Sequence, residues 1–481
     1  MTPFTAWLPP HPTQDFDLVV KVVGSGALQL HQDWMPLAEV LIDQGLAVMA
    51  QCRRLNGDAD DVVLQLRMAV QPFYSMGDGC DVLIHVGNHA PEFGRCNLQP
   101  GSVLLWEPPQ ARRSASIVPE GVVTYALPLT ELCAPHGEGM SGKGLAALGV
   151  LLHLLGCPED ALHRVTLLLA APRSFAAGVE FAHREITKRD AYWLPLPTTD
   201  GGRRQVLLAS EQAMMLGFAV SSCECWTTCD CELLQSPAEW MARHMGIARG
   251  MVSVLESERH PGVQVYRGPQ GKVIALCRGD DAAMTSCLAG FQAPRILVAA
   301  DVTDVLKLLI KGHDLIRSGL SDGVGILIED TLAMRHESVE LSVMQRVVRR
   351  RGADALHAVM TVQSDLPVTP ADRDREGEVD VGFVSWGSAQ GVVRDAVALC
   401  RGVGLNVAGL YPKAIAPFPT QGLEAFARTV RRVVLVESSQ SHGYGERLRA
   451  ACSFQPAVLT PPSGKSLTPM DIFLREGLGT V

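Results

Sequence analysis

The chain has 481 residues, 47% of them hydrophobic and 19% charged, which suits about three folded domains and excludes a mainly disordered chain. Its 42 Lys and Arg stand against 51 Asp and Glu, a net charge of −9, so the basic footprint that would hold nucleic-acid phosphates is missing. Aromatic residues are only 5%, so the cores must be built from Val, Leu, Ile and Ala.

The first 16 residues are rich in Pro and polar side chains and read as a flexible lead-in, without the basic stretch and apolar run of a secretory leader. The longest apolar run, residues 145–155, falls short of the ~20 residues that span a bilayer and contains His153. A cytoplasmic protein that does not enter a membrane is expected. The 13 cysteines are odd in number and mostly scattered, which points to reduced thiols rather than a disulfide framework.

DLVVKVVG, residues 17–24, has the continuous apolar run of a buried strand, and SGAL follows as a turn. Residues 32–44 put Trp34, Leu37, Ala38, Leu41 and Ile42 on one face of a helix that Gly45 stops. AVMAQC, DVVLQLRM, DVLIHVG and SVLLWEP are further strands, and GLAALGVLLHLLG, residues 144–156, is a buried helix. Strands alternating with helices predict an α/β sheet over residues 17–190. PLPTTDGGRR, residues 195–204, is a linker.

A second domain spans residues 205–340 and closes with the helix DVLKLLIKGHDLIRSG and the strand GVGILIED. Residues 341–378 carry a basic helix, SVMQRVVRRRG, and the charged run ADRDREGE, and read as a connector with a solvated face. From residue 379 to 481, VDVGFVSWG, AQGVVRDAVALCRGVG, LNVAGL, LEAFARTV, RRVVLVES and GYGERLRAAC alternate as βαβαβα. That is a small doubly wound domain, whose functional loops belong at the carboxyl ends of its strands.

Few motifs announce chemistry. GSGAL, residues 24–28, is half of a dinucleotide fingerprint, with the third Gly missing, and is read as a tight strand-to-helix turn in preference to an anion site. GEGMSGKG, residues 137–144, nearly matches a phosphate loop, but Gly144 stands where Ser or Thr would hold Mg²⁺ and no strand leads into it. A helix-entry loop is expected there. Cys223, Cys225, Cys229 and Cys231 put four thiols in nine residues, either as metal ligands or as neutral thiols, since Glu224, Asp230 and Glu232 oppose their ionisation. The histidines, including His85 and His89, read as structural or solvent-facing.

The domain order and several motifs resemble the α subunit of 2-oxoacid:ferredoxin oxidoreductases with the γ domain fused at the N-terminus, within that family most like the 2-oxoglutarate enzymes. The first domain is similar to the γ fold through VVKVVGSGAL, DVLIHVG, SVLLWEP, ALPLTEL and GKGLAALGVLLHLLG, although the family's Gly-Gln-Gly turn is absent. The second resembles the pyrimidine-binding fold of thiamine-diphosphate enzymes. ASEQAMMLGFAVSS places Glu211 at the family's Glu, WTTCDCELL places Thr228 at the loop Thr that reaches thiamine and substrate, and VLESE places Glu258 at the carboxylate that hydrogen-bonds the aminopyrimidine. The family's Ser-Gly-Pro-Gly turn appears as Arg278-Gly279-Asp280-Asp281, with Gly279 as the match for a cofactor-binding position, and the substrate loop that follows in the family is missing. The third domain resembles the transketolase C-terminal-like domain through VSWGSAQGVVRDAV, the Pro417-Phe418-Pro419 turn and VVLVESSQSHGYGERLR.

The resemblance implies an α/β chain of three domains and a role in CoA-dependent oxidative decarboxylation of a 2-oxoacid with reduction of ferredoxin. Thr228 and Glu258 would be catalytic, and Thr228, Glu258 and Gly279 would face the cofactor. Thiamine diphosphate and Mg²⁺ would sit at the interface with a β subunit, in an α2β2 assembly. The [4Fe–4S] cluster would belong to that partner, and no metal to this chain unless the four cysteines hold one. The altered turn and missing loop leave a second reading open, a catalytically degenerate paralogue acting as a scaffold or regulatory subunit.

Overall fold

The computed structural model describes residues 16–25, 30–54, 61–86, 98–108, 118–169, 172–195, 205–220, 255–256, 263–267, 273–278, 295–340, 371–375, 377–438, 443–461 and 466–477. It is an α/β structure of two compact units, Met1–Leu207 and Leu208–Val481.

In the first unit β1 (Asp17–Ser25), β4 (Cys80–His85), β5 (Leu98–Trp106) and β6 (Val123–Ala126) run parallel, and β3 (Asp61–Ala69) lies antiparallel between β1 and β2 (Ala47–Arg54). Their order is β6-β5-β4-β1-β3-β2. The helix expected over residues 32–44 is α1 (Leu30–Asp43), and Trp34, Leu37, Ala38, Leu41 and Ile42 are all buried, as the 3.6-residue period requires. α2 (Leu129–Cys133) and α3 (Gly139–Leu154) follow, then α4 (Glu159–Leu168) and α5 (Pro172–Glu185).

α3 is apolar nearly all round, from Leu145 to Leu154, and packs its backbone against α5. A Cβ on Gly178 would lie 2.0 Å from the carbonyl oxygen of Ala146, so only glycine permits that approach. The GEGMSGKG segment departs from expectation. Rather than a loop entering the helix, Gly139 already begins it, Gly142 N donates to Glu138 O (3.1 Å), and Lys143 Nζ is held by Glu107 (2.8 Å). The Gly142 amide is thus committed to the helix and the Lys143 ammonium to a carboxylate. His85 is buried at the end of β4, and His89 lies outside the described residues.

The chain passes into the second unit through β7 (Gln205–Ala209) and α6 (Ser210–Val220). A six-stranded sheet has the order β17-β11-β12-β10-β9-β8, from β8 (Leu255–Glu256), β9 (Val263–Arg267), β10 (Val273–Arg278), β11 (Arg295–Val298), β12 (Gly323–Ile328) and β17 (Ala414–Ala416). α7 (Val302–Arg317) connects β11 to β12. α8 (Asp330–Ala333) leads on to β13 (Arg335–Glu340).

A five-stranded sheet has the order β14-β16-β15-β18-β19, from β14 (Ala371–Arg373), β15 (Val379–Ser385), β16 (Val407–Pro412), β18 (Val430–Val436) and β19 (Ala457–Leu459). All but edge strand β14 are parallel. α9 (Ala389–Gly402), α10 (Thr420–Ala427), α11 (Gly443–Ala451) and α12 (Pro469–Ile472) complete it. The strand order reverses between β15 and β18, as doubly wound sheets do. β17, which follows β16 directly, instead joins the six-stranded sheet through Ile296↔Ala416 and Leu297↔Ala414, so the two sheets share a segment of chain. Among the described residues no helix is long and apolar enough to cross a membrane.

Candidate functional site

The register of the six-stranded sheet defines an edge. β10 and β12 are parallel, with Arg278 opposite Ile328, and β11 runs with them. β8 is antiparallel to β9 and β9 to β10, so β8 runs with β10, and Glu256 is level with Leu276 through their shared partner Gln264. The carboxyl ends of β8, β10, β11 and β12 therefore face one way, where parallel sheets carry their ligand loops. Glu258 follows two residues after Glu256, and Gly279 directly after Arg278.

Glu258, Gly279 and Thr228 themselves lie outside the described residues, as do Cys223, Cys225, Cys229 and Cys231. Glu211 is described and half-buried in the first turn of α6. The neighbouring Ser210 donates its hydroxyl to Leu332 O (2.5 Å), which ties the start of α6 to α8.

What the structure adds at this edge is a set of buried carboxylates. Glu329, directly after β12, accepts hydrogen bonds from Ser388 N and from Ser438 Oγ (2.7 Å). Those two partners stand at the carboxyl ends of β15 and β18, on either side of the strand-order reversal. Glu329 is 7% exposed, and its carboxylate meets the N-terminus of α9, where a negative charge is favoured. Gly387 makes room for it: φ is +60°, and a Cβ there would lie 2.5 Å from Oε2. Thr331 Oγ1 reaches Ser388 Oγ (3.1 Å) and adds a second tie. Trp386 stacks on Tyr444 at 5.5 Å, with Phe418 5.2 Å from the same ring, and walls the loops with aromatic surface. Glu437 repeats the device, accepting from Gly445 N (3.1 Å) in the first turn of α11.

A second group surrounds the start of α7. Asp301 caps the helix by accepting from Asp304 N (2.6 Å). Asp304 accepts from Ala300 N (3.3 Å) and is paired with Lys413, which immediately precedes β17. Glu337 accepts from Val302 N (3.0 Å) and pairs with Arg335 (3.3 Å). Burial raises the Asp304 carboxyl, Asp301 raises it further, and Lys413 opposes both. Burial likewise raises Glu337, against the pull of Arg335. Lys413 and Arg335 each face a carboxylate partner.

Among the described residues the edge presents strand ends, buried carboxylates and backbone. Among the described residues no group of three or more His, Cys, Asp or Glu could hold a metal ion. Sequence reasoning did not single out Glu329, Ser388, Ser438, Asp304, Lys413 or Glu337. The available signals were the Glu-Asp pair ending the all-apolar GILI strand and the Gly-Ser after VSW.

Residues 379–453 match the family model described as pyruvate:ferredoxin oxidoreductase core domain II. Among solved structures, the chain is similar to a 2-oxoglutarate:ferredoxin oxidoreductase from Magnetococcus marinus with 2-oxoglutarate, coenzyme A and succinyl-CoA bound. Identity is 18%, over 96% of this chain and 99% of that one, with a TM-score of 0.75. Two shorter likenesses are a keto/oxoacid ferredoxin oxidoreductase γ subunit from Geobacter sulfurreducens PCA (18% identity, 34% of this chain, 98% of that chain, TM-score 0.28) and the α chain of a probable 2-oxoacid ferredoxin oxidoreductase from Thermoplasma acidophilum (25% identity, 22% of this chain, 91% of that chain, TM-score 0.16). No curated protein sequence matches the chain. Over nearly its whole length the chain has the fold of a 2-oxoacid:ferredoxin oxidoreductase subunit, and its C-terminal doubly wound domain matches the core domain II of that family.

Proposed function

We propose that the chain is the α subunit, with fused γ domain, of a 2-oxoacid:ferredoxin oxidoreductase acting on 2-oxoglutarate. The reaction is 2-oxoglutarate, CoA and two oxidised ferredoxins giving succinyl-CoA, CO₂, two reduced ferredoxins and a proton. One observation carries this reading, the likeness of fold to the 2-oxoglutarate enzyme over 96% of the chain at a TM-score of 0.75.

Thiamine diphosphate, held with Mg²⁺ between this chain and a β subunit, supplies the electron sink for decarboxylation. From this chain, the Glu258 carboxylate would hold and exchange a proton at a ring nitrogen of the aminopyrimidine, a task suited to a carboxyl group. Thr228 would be the loop residue that reaches thiamine and substrate, and Gly279 would face the cofactor, as the resemblance implies. Support comes from the register: Glu256 and Arg278, the last described residues before Glu258 and Gly279, end strands that run the same way. The partner contributes the phosphate site and the [4Fe–4S] cluster, and the assembly is α2β2.

The test is to purify the tagged chain with its co-purifying partner and assay it anaerobically for viologen reduction dependent on both 2-oxoglutarate and CoA. Activity lost in Glu258→Ala, with the complex still assembled, supports the enzyme and the role of the carboxylate. A stable complex inactive on 2-oxoglutarate, pyruvate and branched 2-oxoacids, with no thiamine bound, refutes it in favour of a scaffold.

A further inference from the structure

In an open doubly wound sheet the ligand crevice lies at the carboxyl ends of the strands where their order reverses. Here that place is between β15 and β18, and the chain's own Glu329 accepts hydrogen bonds from both sides of it, at Ser388 N and Ser438 Oγ. The crevice of the five-stranded sheet is thus spent on holding the end of β12. β12 is the strand next to β10, and its last residue, Ile328, is paired with Arg278. Glu329 also starts α8 through its own carbonyl, which accepts from Leu332 N (2.9 Å), and Leu332 O accepts from Ser210 beside Glu211. The Glu329 carboxylate therefore ties together the ends of β12, β15 and β18, and its backbone carbonyl, through Leu332, reaches the start of α6.

We propose that Glu329 is a positioning residue for the thiamine-diphosphate edge of this chain: it docks the five-stranded sheet onto the end of β12 and thereby fixes the neighbouring strand β10, whose last residue Arg278 pairs with Ile328. The inference rests on the proposed function. It assigns the C-terminal domain a role beyond filling space, because a domain merely packed nearby would not need its ligand crevice closed by a carboxylate from the other sheet. Two donors converge on one buried anion, and both are lost together if that anion is removed.

The experiment uses the assembled complex of this chain with its β subunit. Thiamine diphosphate with Mg²⁺ is titrated calorimetrically into cofactor-stripped wild type, Glu329→Ala, Glu329→Gln and Ser438→Ala, with thermal midpoints measured in parallel. Glu329→Ala is expected to weaken cofactor affinity about tenfold, and Glu329→Gln and Ser438→Ala less, because each keeps one of the two ties. A purely structural role would lower the thermal midpoint while leaving the affinity of the folded complex unchanged. Wild-type affinity in both Glu329 variants overturns the proposal, whatever their midpoints. If Glu329→Ala does not assemble, unchanged affinity in both Glu329→Gln and Ser438→Ala overturns it equally. A wild-type complex that binds no thiamine diphosphate refutes the proposed function itself, and this inference with it, whereas wild-type binding with unaffected variants refutes this inference alone.

Discussion

Gly387→Ala probes the junction most directly. Residue 387 sits at φ +60°, a conformation that costs an L-residue with a Cβ about 1–2 kcal/mol. The new methyl would also lie 2.5 Å from Glu329 Oε2 and 2.9 Å from its Cδ, well inside van der Waals contact. The carboxylate is only 7% exposed, and the clashing Oε2 moves by breaking its bond to Ser388 N. Losing a charge-assisted bond of this kind costs roughly 1.5–3 kcal/mol, for a total of about 3–5 kcal/mol. In a Glu329→Ala background the clash disappears and only the backbone cost of about 1–2 kcal/mol remains. Amide hydrogen exchange of the full chain, followed by mass spectrometry in peptides covering 377–404, reports the local opening free energy in all four proteins. A coupling of about 1.5–3 kcal/mol between the two sites is expected. If Gly387→Ala costs the same in both backgrounds, Glu329 does not hold the α9 N-terminus as described.

Three further outcomes follow from buried contacts. Gly178→Val should force α5 away from α3 and destabilise the first unit by about 1–3 kcal/mol or more; an unchanged urea midpoint would contradict the close approach to Ala146 O. Lys188→Met should cost about 3 kcal/mol, because Asp190 is 3% exposed and loses the ammonium 2.5 Å away, whereas Lys188→Met combined with Asp190→Asn, which removes the unpaired charge and keeps an acceptor for Tyr125 Oη or Tyr192 N, should recover part of that loss. Glu337 has its carboxyl raised in the folded chain by burial, so its contribution is full below its unfolded value of about 4.3 and is lost as pH rises through the higher folded value. The stability of the second unit should therefore decline from about pH 4.3 upward, and Glu337→Gln should flatten that slope; an unaltered slope would show that another group sets it.

Local order was legible because it is written in short-range periodicity. The five-residue apolar face of α1 and the strand-helix alternation from Val379 to Ala451 need only residues a few positions apart, and the structure matches them closely. In the GEGMSGKG segment the helix starts earlier than expected, at Gly139, and Lys143 finds its partner Glu107 far along the chain, beyond the reach of local patterning. The same limit applied to Glu329, whose two partners are 59 and 109 positions away.

By itself the sequence determined that this is an aliphatic α/β chain with a doubly wound C-terminal domain, because burial patterns and turn residues act locally. It could also carry a family likeness, since motif order survives where identity does not. Only the tertiary structure decided that β17 crosses into the neighbouring sheet, that Lys413 faces Asp304, and that the crevice between β15 and β18 is filled by Glu329. Those pairings depend on which strand ends come together in space, and desolvation makes each of them binding: a carboxylate buried at a junction must find its donors there, wherever in the sequence they lie.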